Sequence, residues 1–358
     1  MPTATSTRAT LADVLAEWGE GGPERRPVVE AIAAIATASV ELGRLIAAAP
    51  TAVGYGDDSG ELTAAETVSN ASGDDQKPLD VLAEAHFARA LSGLSVAAMC
   101  SEESADPIPL SAGGAILVSI DPIDGSSNID INASIGTIFS IMPVLPDGDL
   151  LASALQPGRN QLAAGVIVYG PSTTLILTVG DGTDVFALDP ATGEYVRTHR
   201  RVELPTESPE YAINASNARH WEPGIRSYVS DLVDGSGGPR GMDFNMRWLA
   251  ALVADTYRIL LRGGIYLYPR DERPNYRNGR IRLVYEANPV AFLCHQAGGL
   301  ATDGIDPILD SQPTSLHQKT PLVFGSRRKV ERVAKYLTEP FSSHEDSPLF
   351  NRRGLFRD

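Results

Sequence analysis

The sequence predicts an α/β (α+β) fold in which helices are layered against the sheets of two domains. Three observations predict it. The chain has 358 residues, enough for two domains of roughly 150 to 200 residues each. Helical patterns dominate its opening third, and short apolar runs between turn residues dominate the middle. A second cycle of strand and helix patterns begins near Pro205. We therefore expect an N-terminal domain over residues 1–203, a C-terminal domain over 204–340 and a tail over 341–358.

The helical patterns of the N-terminal domain come first along the chain. Val28 to Ala48 is rich in alanine and has apolar residues at helical spacing, and Asp80 to Leu91 repeats this pattern. The segment between them, Gly54 to Lys77, is rich in Gly, Ser, Asp and Asn, which predicts a mobile loop.

Strand patterns follow in the same domain. Each is a short run rich in Ile, Val and Leu, and turn residues such as Pro-Asp-Gly at 146–148 separate the runs. Because the connections are short, we expect a largely antiparallel sheet. The expected strands are Ala115–Ile120, Gly136–Val144, Gly165–Tyr169, Thr174–Val179 and Asp184–Leu188.

The C-terminal domain alternates strands and helices. We expect strands at Tyr211–Asn214, Ile265–Tyr268, Ile281–Tyr285 and Leu322–Gly325. We expect helices at Ile225–Val233, Met246–Arg262, Pro289–Gln296 and Lys329–Leu337.

Composition excludes several classes of function. The formal net charge of −15 argues against nucleic acid or an anionic membrane as a partner, because both favour a basic surface. No run approaches the roughly 18 uninterrupted apolar residues of a membrane helix, and the N-terminus has no signal-peptide pattern. The two cysteines, Cys100 and Cys294, have no metal-type spacing. We therefore expect a cytoplasmic protein.

Arginine is concentrated in one segment of this acidic chain. Between Arg240 and Arg282 there are nine arginines and four acidic residues. The excess is typical of a binding site for an anion, and equally of a solvated basic face.

The sharpest motif is the run from Asp121 to Asn128, Asp-Pro-Ile-Asp-Gly-Ser-Ser-Asn. It follows an apolar strand pattern, so the carboxylates of Asp121 and Asp124 and the Ile123 carbonyl are candidates for converging on one cation. Gly125 allows an unusual backbone conformation, after which Ser126 and Ser127 can offer amides and hydroxyls to a phosphate. An ordinary Asp/Gly turn is the alternative, and this string is far more specific than such a turn.

Other acidic residues also lie at the ends of apolar segments. Glu102 and Glu103 follow Val96 to Cys100, and Glu286 follows Ile281 to Tyr285. Asp74 and Asp80 lie on either side of Lys77. Each of them alone is more often surface charge than a metal ligand, and spacing does not show whether they converge.

These motifs resemble those of class I fructose-1,6-bisphosphatases, a family within the wider lithium-sensitive, inositol-monophosphatase-like superfamily. The wider group shares the Glu-Glu and Asp-Pro-x-Asp-Gly elements, and the remaining motifs single out this family. Those motifs are Gly263–Pro269, Gly279–Pro289, Ala297–Gly299 and Phe324–Ser326, within a likeness that spans about residues 68 to 340. The resemblance implies a layered α-β-α-β-α sandwich of the sugar phosphatase fold. It also implies Mg²⁺-dependent hydrolysis of the 1-phosphate of fructose 1,6-bisphosphate.

The resemblance further implies a division of roles among the residues of the reacting end. The metal ligands would be Glu102, Asp121, Asp124, Glu286 and the Ile123 carbonyl. They would hold two or three Mg²⁺ ions, with Mn²⁺ or Zn²⁺ as substitutes. Glu103 and Asp80 would orient and deprotonate the attacking water, and Asp74, with Asn70, would lie in a loop that closes over the metals. The 1-phosphate would bind to the segment Asp124, Gly125, Ser126 and Ser127.

At the far end of the sugar, the resemblance implies a clamp for the 6-phosphate. Asn214, Tyr268 and, from a neighbouring subunit, Arg247 would hold that phosphate, which implies a homo-oligomer, most simply a tetramer. Arg280 and Arg282 would contact sugar and phosphate, and the remaining substrate contacts would be Trp248, Tyr266 and Leu267. Trp248 stands where a phosphate-binding tyrosine is usual, and Arg280 replaces a lysine.

Two other functions remain open from the sequence. A sedoheptulose-1,7-bisphosphatase, or an enzyme that hydrolyses both bisphosphates, would have the same reacting end. A non-catalytic sugar-phosphate sensor should have lost at least one of the carboxylates named above, and all of them are present. The stretch from Asn214 to Trp221 resembles bacterial forms associated with carbon fixation, so we expect a role in gluconeogenesis or the Calvin cycle.

Overall fold

The computed structural model describes residues 8–52 and 78–339. The expected loop Gly54–Lys77, with Asn70 and Asp74, and the expected tail 341–358 lie outside the described residues. The helices are α1 (Leu11–Gly19), α2 (Arg26–Ala52), α3 (Pro78–Leu91), α4 (Leu150–Ala154), α5 (Pro223–Val233), α6 (Leu252–Arg262), α7 (Asn288–Gln296) and α8 (Arg327–Thr338).

Eight strands form one sheet in the order β2-β1-β3-β4-β5-β6-β7-β8. Every neighbouring pair is antiparallel except β1 and β3, which confirms the expected largely antiparallel sheet. The strands are β1 (Val96–Ser101), β2 (Ile108–Pro109), β3 (Ile116–Asp124), β4 (Ile135–Pro143), β5 (Ala163–Tyr169), β6 (Thr173–Thr178), β7 (Thr183–Leu188) and β8 (Tyr195–His199).

A five-stranded sheet has the order β10-β9-β11-β15-β13. Its β9 is parallel to both β10 and β11, whereas β15 is antiparallel to β11 and β13. Its strands are β9 (Glu210–Ile213), β10 (Asn245–Met246), β11 (Ile265–Tyr268), β13 (Leu300–Thr302) and β15 (Leu322–Gly325). A separate pair joins β12 (Ile281–Arg282) to β14 (Lys319–Thr320).

The cores show a layered architecture. One core joins α1, α2 and α3 to one face of the eight-stranded sheet. A second core joins α6 and α7 to the opposite face and to the five-stranded sheet, and a third packs α5 and α8 on the far side of that sheet. Successive strand residues divide between the faces, as Ile167 in the first core and Val166 in the second show. The expected α-β-α-β-α layering is confirmed.

Helix α2 forms the outer layer against the eight-stranded sheet. Within the described residues, Pro23–Ala48 is the one helical stretch long and apolar enough to cross a bilayer by length and composition. This is weak evidence for a membrane span, because a helix buried in a protein core meets the same criteria. Ile32, Ile35 and Leu42 are fully buried in the core that α2 shares with the sheet.

Two expected elements are wrong, and both errors lie near the site described below. The expected helix Met246–Arg262 begins only at Leu252, because Ala250 has a left-handed backbone (φ 59°) and Ala251 is extended. The expected strand Ile281–Tyr285 ends at Arg282 and continues as a π-helical turn, Leu283–Ala287, which leads into α7. Strand β3 also runs four residues beyond its expected end at Ile120, so that it includes the Asp-Pro-x-Asp motif.

Candidate active site

The Asp-Pro-x-Asp motif forms the end of β3, inside the sheet. Asp121 and Asp124 are buried there, with 4% and 8% of their surfaces exposed. The Ile123 amide donates a 3.1 Å hydrogen bond to the Asp121 carboxylate, and the Thr137 hydroxyl on β4 donates one of 2.8 Å to the Pro122 carbonyl. These bonds hold the strand end, and therefore both carboxylates, in place.

Three carboxylates meet at this strand end. One oxygen each of Asp121, Asp124 and Glu286 lies within 4.8 Å of the others, and all three side chains are buried. Burial raises the pKa of Asp121 well above its usual range, and the charges of Glu102, Asp124 and Glu286 raise it further. Burial also raises the pKa of Asp124 to about 7. Buried carboxylates that repel one another at this spacing fit a divalent cation, because its charge would offset their repulsion.

Glu102 lies beside this cluster and is paired with a cation. Its Oε1 is 3.0 Å from Nη2 of Arg282, and both side chains are largely buried. The Arg282 amide donates a hydrogen bond to Glu286, and the guanidinium lowers the pKa of Asp121. Arg282 therefore neutralises part of the carboxylate charge, a contact that the sequence hypothesis did not include.

The turn after β1 carries Glu103 and is tied to helix α3. The Ser104 hydroxyl donates a 2.9 Å hydrogen bond to Glu84 of α3, and the Ser104 carbonyl lies 3.0 Å from Nε2 of His317. Asp80 is buried in the first turn of α3, four residues before Glu84, so the two side chains share one face of the helix. Asp80 therefore lies on the side of α3 from which Glu84 contacts the turn that carries Glu103.

The residues expected to bind the 1-phosphate form a tight turn after Asp124. Gly125 has a left-handed backbone (φ 80°), and a Cβ at this position would lie 3.2 Å from that of Ala251. A short 3₁₀-helix, Ser126–Asn128, follows at once. Ser127 is exposed and Ser126 is partly buried, so their hydroxyls and amides lie at the surface beside the carboxylate cluster.

Asp124 also caps helix α6. The first residue before that helix, Ala251, has no capping side chain, and the Val253 amide donates a 2.8 Å hydrogen bond to Oδ2 of Asp124 instead. A second bond of 3.3 Å runs from the Asn128 amide group to the Ala250 carbonyl. The carboxylate cluster is thus joined directly to the segment that carries Arg247 and Trp248.

The expected clamp for the far phosphate lies at the ends of β9 and β11. These strands are parallel, and Ile213 is in register with Leu267, so Asn214 and Tyr268 leave the sheet at the same end. Leu267 itself is fully buried in the core with α5 and α8, so its side chain lies on the face of the sheet that packs on those helices. The expected contact of Leu267 with substrate stays a prediction, and its backbone is the part that would make it.

Trp248 and Tyr266 form an aromatic stack at this end. Their ring centroids are 5.5 Å apart with an interplanar angle of 17°, and Trp248 also contacts Tyr268 at 6.1 Å. Tyr266 is buried and packs on Phe324 as well. The indole that stands in place of the usual tyrosine is therefore held by stacking rather than by a hydroxyl group.

Arg247 lies in an extended, exposed segment and not on the long helix where the sequence placed it. Its amide donates a 2.8 Å hydrogen bond to the Tyr211 carbonyl, which continues the β9–β10 pairing. Among the described residues, the one partner of its guanidinium is the adjacent Met246 carbonyl, at 3.2 Å. The side chain is therefore presented outward from the clamp of its own chain.

Arg280 is held by residues that the sequence hypothesis missed. Its Nη1 donates a 2.8 Å hydrogen bond to the Tyr276 hydroxyl, and its guanidinium lies 4.9 Å from that ring. Arg273 lies 3.7 Å from the same ring, pairs with Asp271 and donates a 3.1 Å bond to Asn217. The excess of arginine between Arg240 and Arg282 was the sequence signal for this arginine pair, because the excess includes both Arg273 and Arg280.

Asp255 is a second missed residue. It is 1% exposed in the first turn of α6, and burial raises its pKa to about 7. Its Oδ2 accepts a 3.2 Å hydrogen bond from the Leu249 amide. It therefore fixes the chain that leads into Ala250. An acidic residue at the start of a helix is common, so spacing offered no sign of this role.

The sandwich of two sheets, with a tight glycine–serine turn beside buried carboxylates, is typical of a phosphatase of layered α/β architecture. The family model described as the N-terminal domain of fructose-1-6-bisphosphatase matches residues 57–200, and that of the C-terminal domain matches residues 204–338. The chain belongs to the fructose-1,6-bisphosphatase family.

Known members of this family are similar in sequence to nearly the whole chain. The class 1 fructose-1,6-bisphosphatase of Sinorhizobium medicae is 50% identical over 98% of this chain and 99% of its own length. That of Rhizobium meliloti is 48% identical over 98% and 99%. The crystal structure of Leishmania major fructose-1,6-bisphosphatase in holo form has a TM-score of 0.82 and 33% identity, covering 94% of this chain and 99% of that one.

Proposed function

We propose that this protein hydrolyses the 1-phosphate of fructose 1,6-bisphosphate to fructose 6-phosphate and phosphate, with Mg²⁺ as its cofactor. The observation that supports this most is the buried cluster of Asp121, Asp124 and Glu286, directly before the Gly125–Ser127 turn. Phosphomonoesters hydrolyse extremely slowly without a catalyst, so the reaction needs charge neutralisation and a deprotonated water. A cation held by the carboxylate cluster would meet both needs, next to a turn that can hold the phosphate.

The metal would be held by Asp121, Asp124, Glu286, Glu102 and the Ile123 carbonyl, as two or three ions. When bound, Mg²⁺ supplies positive charge to the phosphoryl oxygens and lowers the pKa of a coordinated water. Because Arg282 offsets only part of the carboxylate charge, the cluster favours a divalent cation over none. Mn²⁺ or Zn²⁺ would substitute, since both accept carboxylate oxygens.

The chain's own residues would position the reactants. Asp80 and Glu103 would orient the attacking water and accept its proton, with Asp74 assisting. The amides and hydroxyls of Ser126 and Ser127 would hold the 1-phosphate. The hydrogen bond from Ser104 to Glu84 ties α3 to the Glu103 turn, which supports a joint role for Asp80 and Glu103.

The far phosphate would bind between Asn214, Tyr268, Arg280 and, from a second copy, Arg247. The Trp248–Tyr266 stack would form an apolar wall against the sugar, and Arg282 would reach the substrate from the carboxylate side. Binding at the far end would place the 1-phosphate at the carboxylate cluster, and the distance between the two ends would select substrate length. This assignment makes the functional unit a homo-oligomer, most simply a tetramer.

The protein would act in the cytoplasm. Its two cysteines, Cys100 and Cys294, are free and buried thiols, which is typical of a reducing compartment.

A phosphate-release assay tests the proposal. We expect turnover of fructose 1,6-bisphosphate with Mg²⁺, its loss in EDTA and its recovery when Mg²⁺ is restored. Binding of the bisphosphate without turnover under any of the three metals would indicate a sensor instead. A higher kcat/KM on sedoheptulose 1,7-bisphosphate would reassign the substrate while leaving the reaction unchanged.

A further inference from the structure

A group of hydrogen-bond donors without acceptors among the described residues lies outside the carboxylate cluster, at the core between α5 and α8. Lys329, the third residue of α8, is fully buried. Among the described residues its ammonium group has no hydrogen-bond acceptor, and it lies 4.6 Å from the ring centroid of Phe244. Burying an ammonium group without an acceptor raises the free energy of the folded protein.

Two further buried donors lie nearby, one against the same ring and one beside it in the chain of contacts. The Arg240 guanidinium carbon lies 5.0 Å from the Phe244 centroid, and its Nη1 is buried with no acceptor among the described residues. The Tyr228 hydroxyl on α5 is also buried, and Arg240 lowers its pKa by its charge and by a hydrogen bond, against the larger effect of burial. No acceptor for the Tyr228 proton lies within hydrogen-bond distance among the described residues. We call Lys329, Arg240 and Tyr228 the donor cluster.

The charges around the donor cluster do not balance. Burial lowers the pKa of Lys329 to about 7, and the charges of Arg240 and Arg332 add to this effect. Glu207 opposes it, but this carboxylate is shared with Arg332, 3.9 Å away, and Asp231 accepts a hydrogen bond from Tyr336. One aromatic ring stabilises a cation weakly and does not neutralise two.

The position of Lys329 adds to the imbalance. It lies in the first turn of α8, where the helix dipole places positive charge, while the Arg328 and Lys329 amides are already bonded to the carbonyls of Thr206 and Ser326. Two cations beside a helix start favour negative charge at one place.

We propose that the donor cluster binds an inorganic oxyanion of sulfate or phosphate size, at a site separate from the active site and independent of the proposed phosphatase activity. The full burial of Lys329 and Tyr228 favours a small ion over an organic phosphate. Such an ion would accept bonds from α5, α8 and the segment 234–244. That segment continues through β10 to Arg247, so anion binding is expected to stabilise the chain that leads to the clamp.

Thermal denaturation in sulfate tests the proposal. In a low-salt buffer without oxyanions, Lys329→Met should be at least as stable as the wild type, because an unpaired buried charge has been removed. On adding sulfate at millimolar concentration, the Tm of the wild type should rise by about 2 °C or more beyond that of Lys329→Met. Sulfate binding at the active site is common to both proteins and does not contribute to this difference.

Lys335→Met is the matched control, since Lys335 is exposed on the same helix. It should respond to sulfate as the wild type does, which separates the site from general screening of charge. A selenate-soaked crystal of the full-length protein should show anomalous density between Lys329 and Arg240. An equal response of the wild type and Lys329→Met, or selenate only at the active site, would overturn the proposal and leave water as the partner of these donors.

Discussion

Asp121 shares its buried surroundings with the carboxylates of Glu102, Asp124 and Glu286, which raise its pKa, and with the guanidinium of Arg282, which lowers it. The protein therefore folds around an excess of negative charge. Such an arrangement lowers stability when no cation is present and becomes favourable when one is bound. This balance is typical of residues selected for function rather than for stability.

The substitution Asp121→Asn separates the effect of this carboxylate on activity from its effect on stability. The substitution keeps the side-chain volume and removes a ligand charge, so kcat should fall by at least about 1,000-fold, since metal ligation supplies several kcal/mol. In EDTA, the Tm should be unchanged or higher, because one repulsive charge has been removed. Asp106→Asn, in the exposed turn after Glu103, is the control and should keep wild-type activity. A fall in Tm that parallels the fall in kcat would show instead that Asp121 has a structural role.

Lys329 predicts a specific dependence of stability on pH. Its pKa is about 7 in the folded protein and 10.5 as an unperturbed side chain, so the unfolded chain binds more protons between these values. The free energy of unfolding contributed by this residue should therefore be lowest below pH 7 and rise towards pH 10.5. Urea denaturation at low ionic strength should show that rise in the wild type relative to Lys329→Met. Parallel curves for the two proteins would contradict a depressed pKa.

Helix α6 packs tightly against the eight-stranded sheet beside the carboxylate cluster. Gly136 on β4 is in register with Asp124 on β3. A Cβ at Gly136 would lie 2.1 Å from the Ile167 carbonyl and 2.8 Å from a methyl of Val253. The absence of a side chain here allows the Val253 amide to reach Asp124.

Gly136→Ala should therefore destabilise the protein by about 1–3 kcal/mol or more through overpacking. It should also reduce kcat, because Val253 would be displaced from the carboxylate that it bonds. Chemical denaturation and initial rates measure the two effects. Gly237→Ala is the control, since a Cβ there meets no atom within 4 Å. If Gly136→Ala were as stable as this control, the packing argument would be wrong.

The segment around Arg247 lies at the surface of the protein. Arg247 itself is exposed, and the neighbouring apolar residues Met242, Met246 and Leu249 are 42%, 42% and 45% exposed. An outward arginine among exposed apolar side chains is typical of a surface that a second subunit covers.

A mixing experiment tests the proposed contribution of Arg247 across subunits. Arg247→Ala and Asp121→Asn should each be inactive or nearly so, and mixed oligomers should regain activity, because some sites then receive both intact residues. Arg277→Ala, an exposed arginine outside the proposed clamp, should remain active without mixing. Absence of recovery after subunit exchange has been confirmed by mass spectrometry would exclude a role for Arg247 in trans.

Most of the helices and strands, and the chemistry of the reacting end, were predictable from sequence patterns. The strands over 163–188 and the helices α2, α3 and α5 follow from periodicity, which depends on residues close together in the chain. The Asp-Pro-x-Asp-Gly-Ser-Ser run indicated both a cation and a phosphate, because those residue types suit few other purposes. Which of the remaining carboxylates lie beside it did not follow from spacing.

Tertiary contacts decided the rest. Helix α6 begins at Leu252 because Asp124, 129 residues before Val253, caps it, and because Asn128 bonds the left-handed Ala250. The π-helical turn at Leu283–Ala287 accompanies the bond from the Arg282 amide to Glu286. Lys329 has the sequence appearance of a surface helix residue, and only the packing of α8 on α5 and Phe244 buries it. Local pattern determines which elements form, whereas contacts between residues far apart in the chain determine where the elements end and which charges meet, since those depend on the packed core.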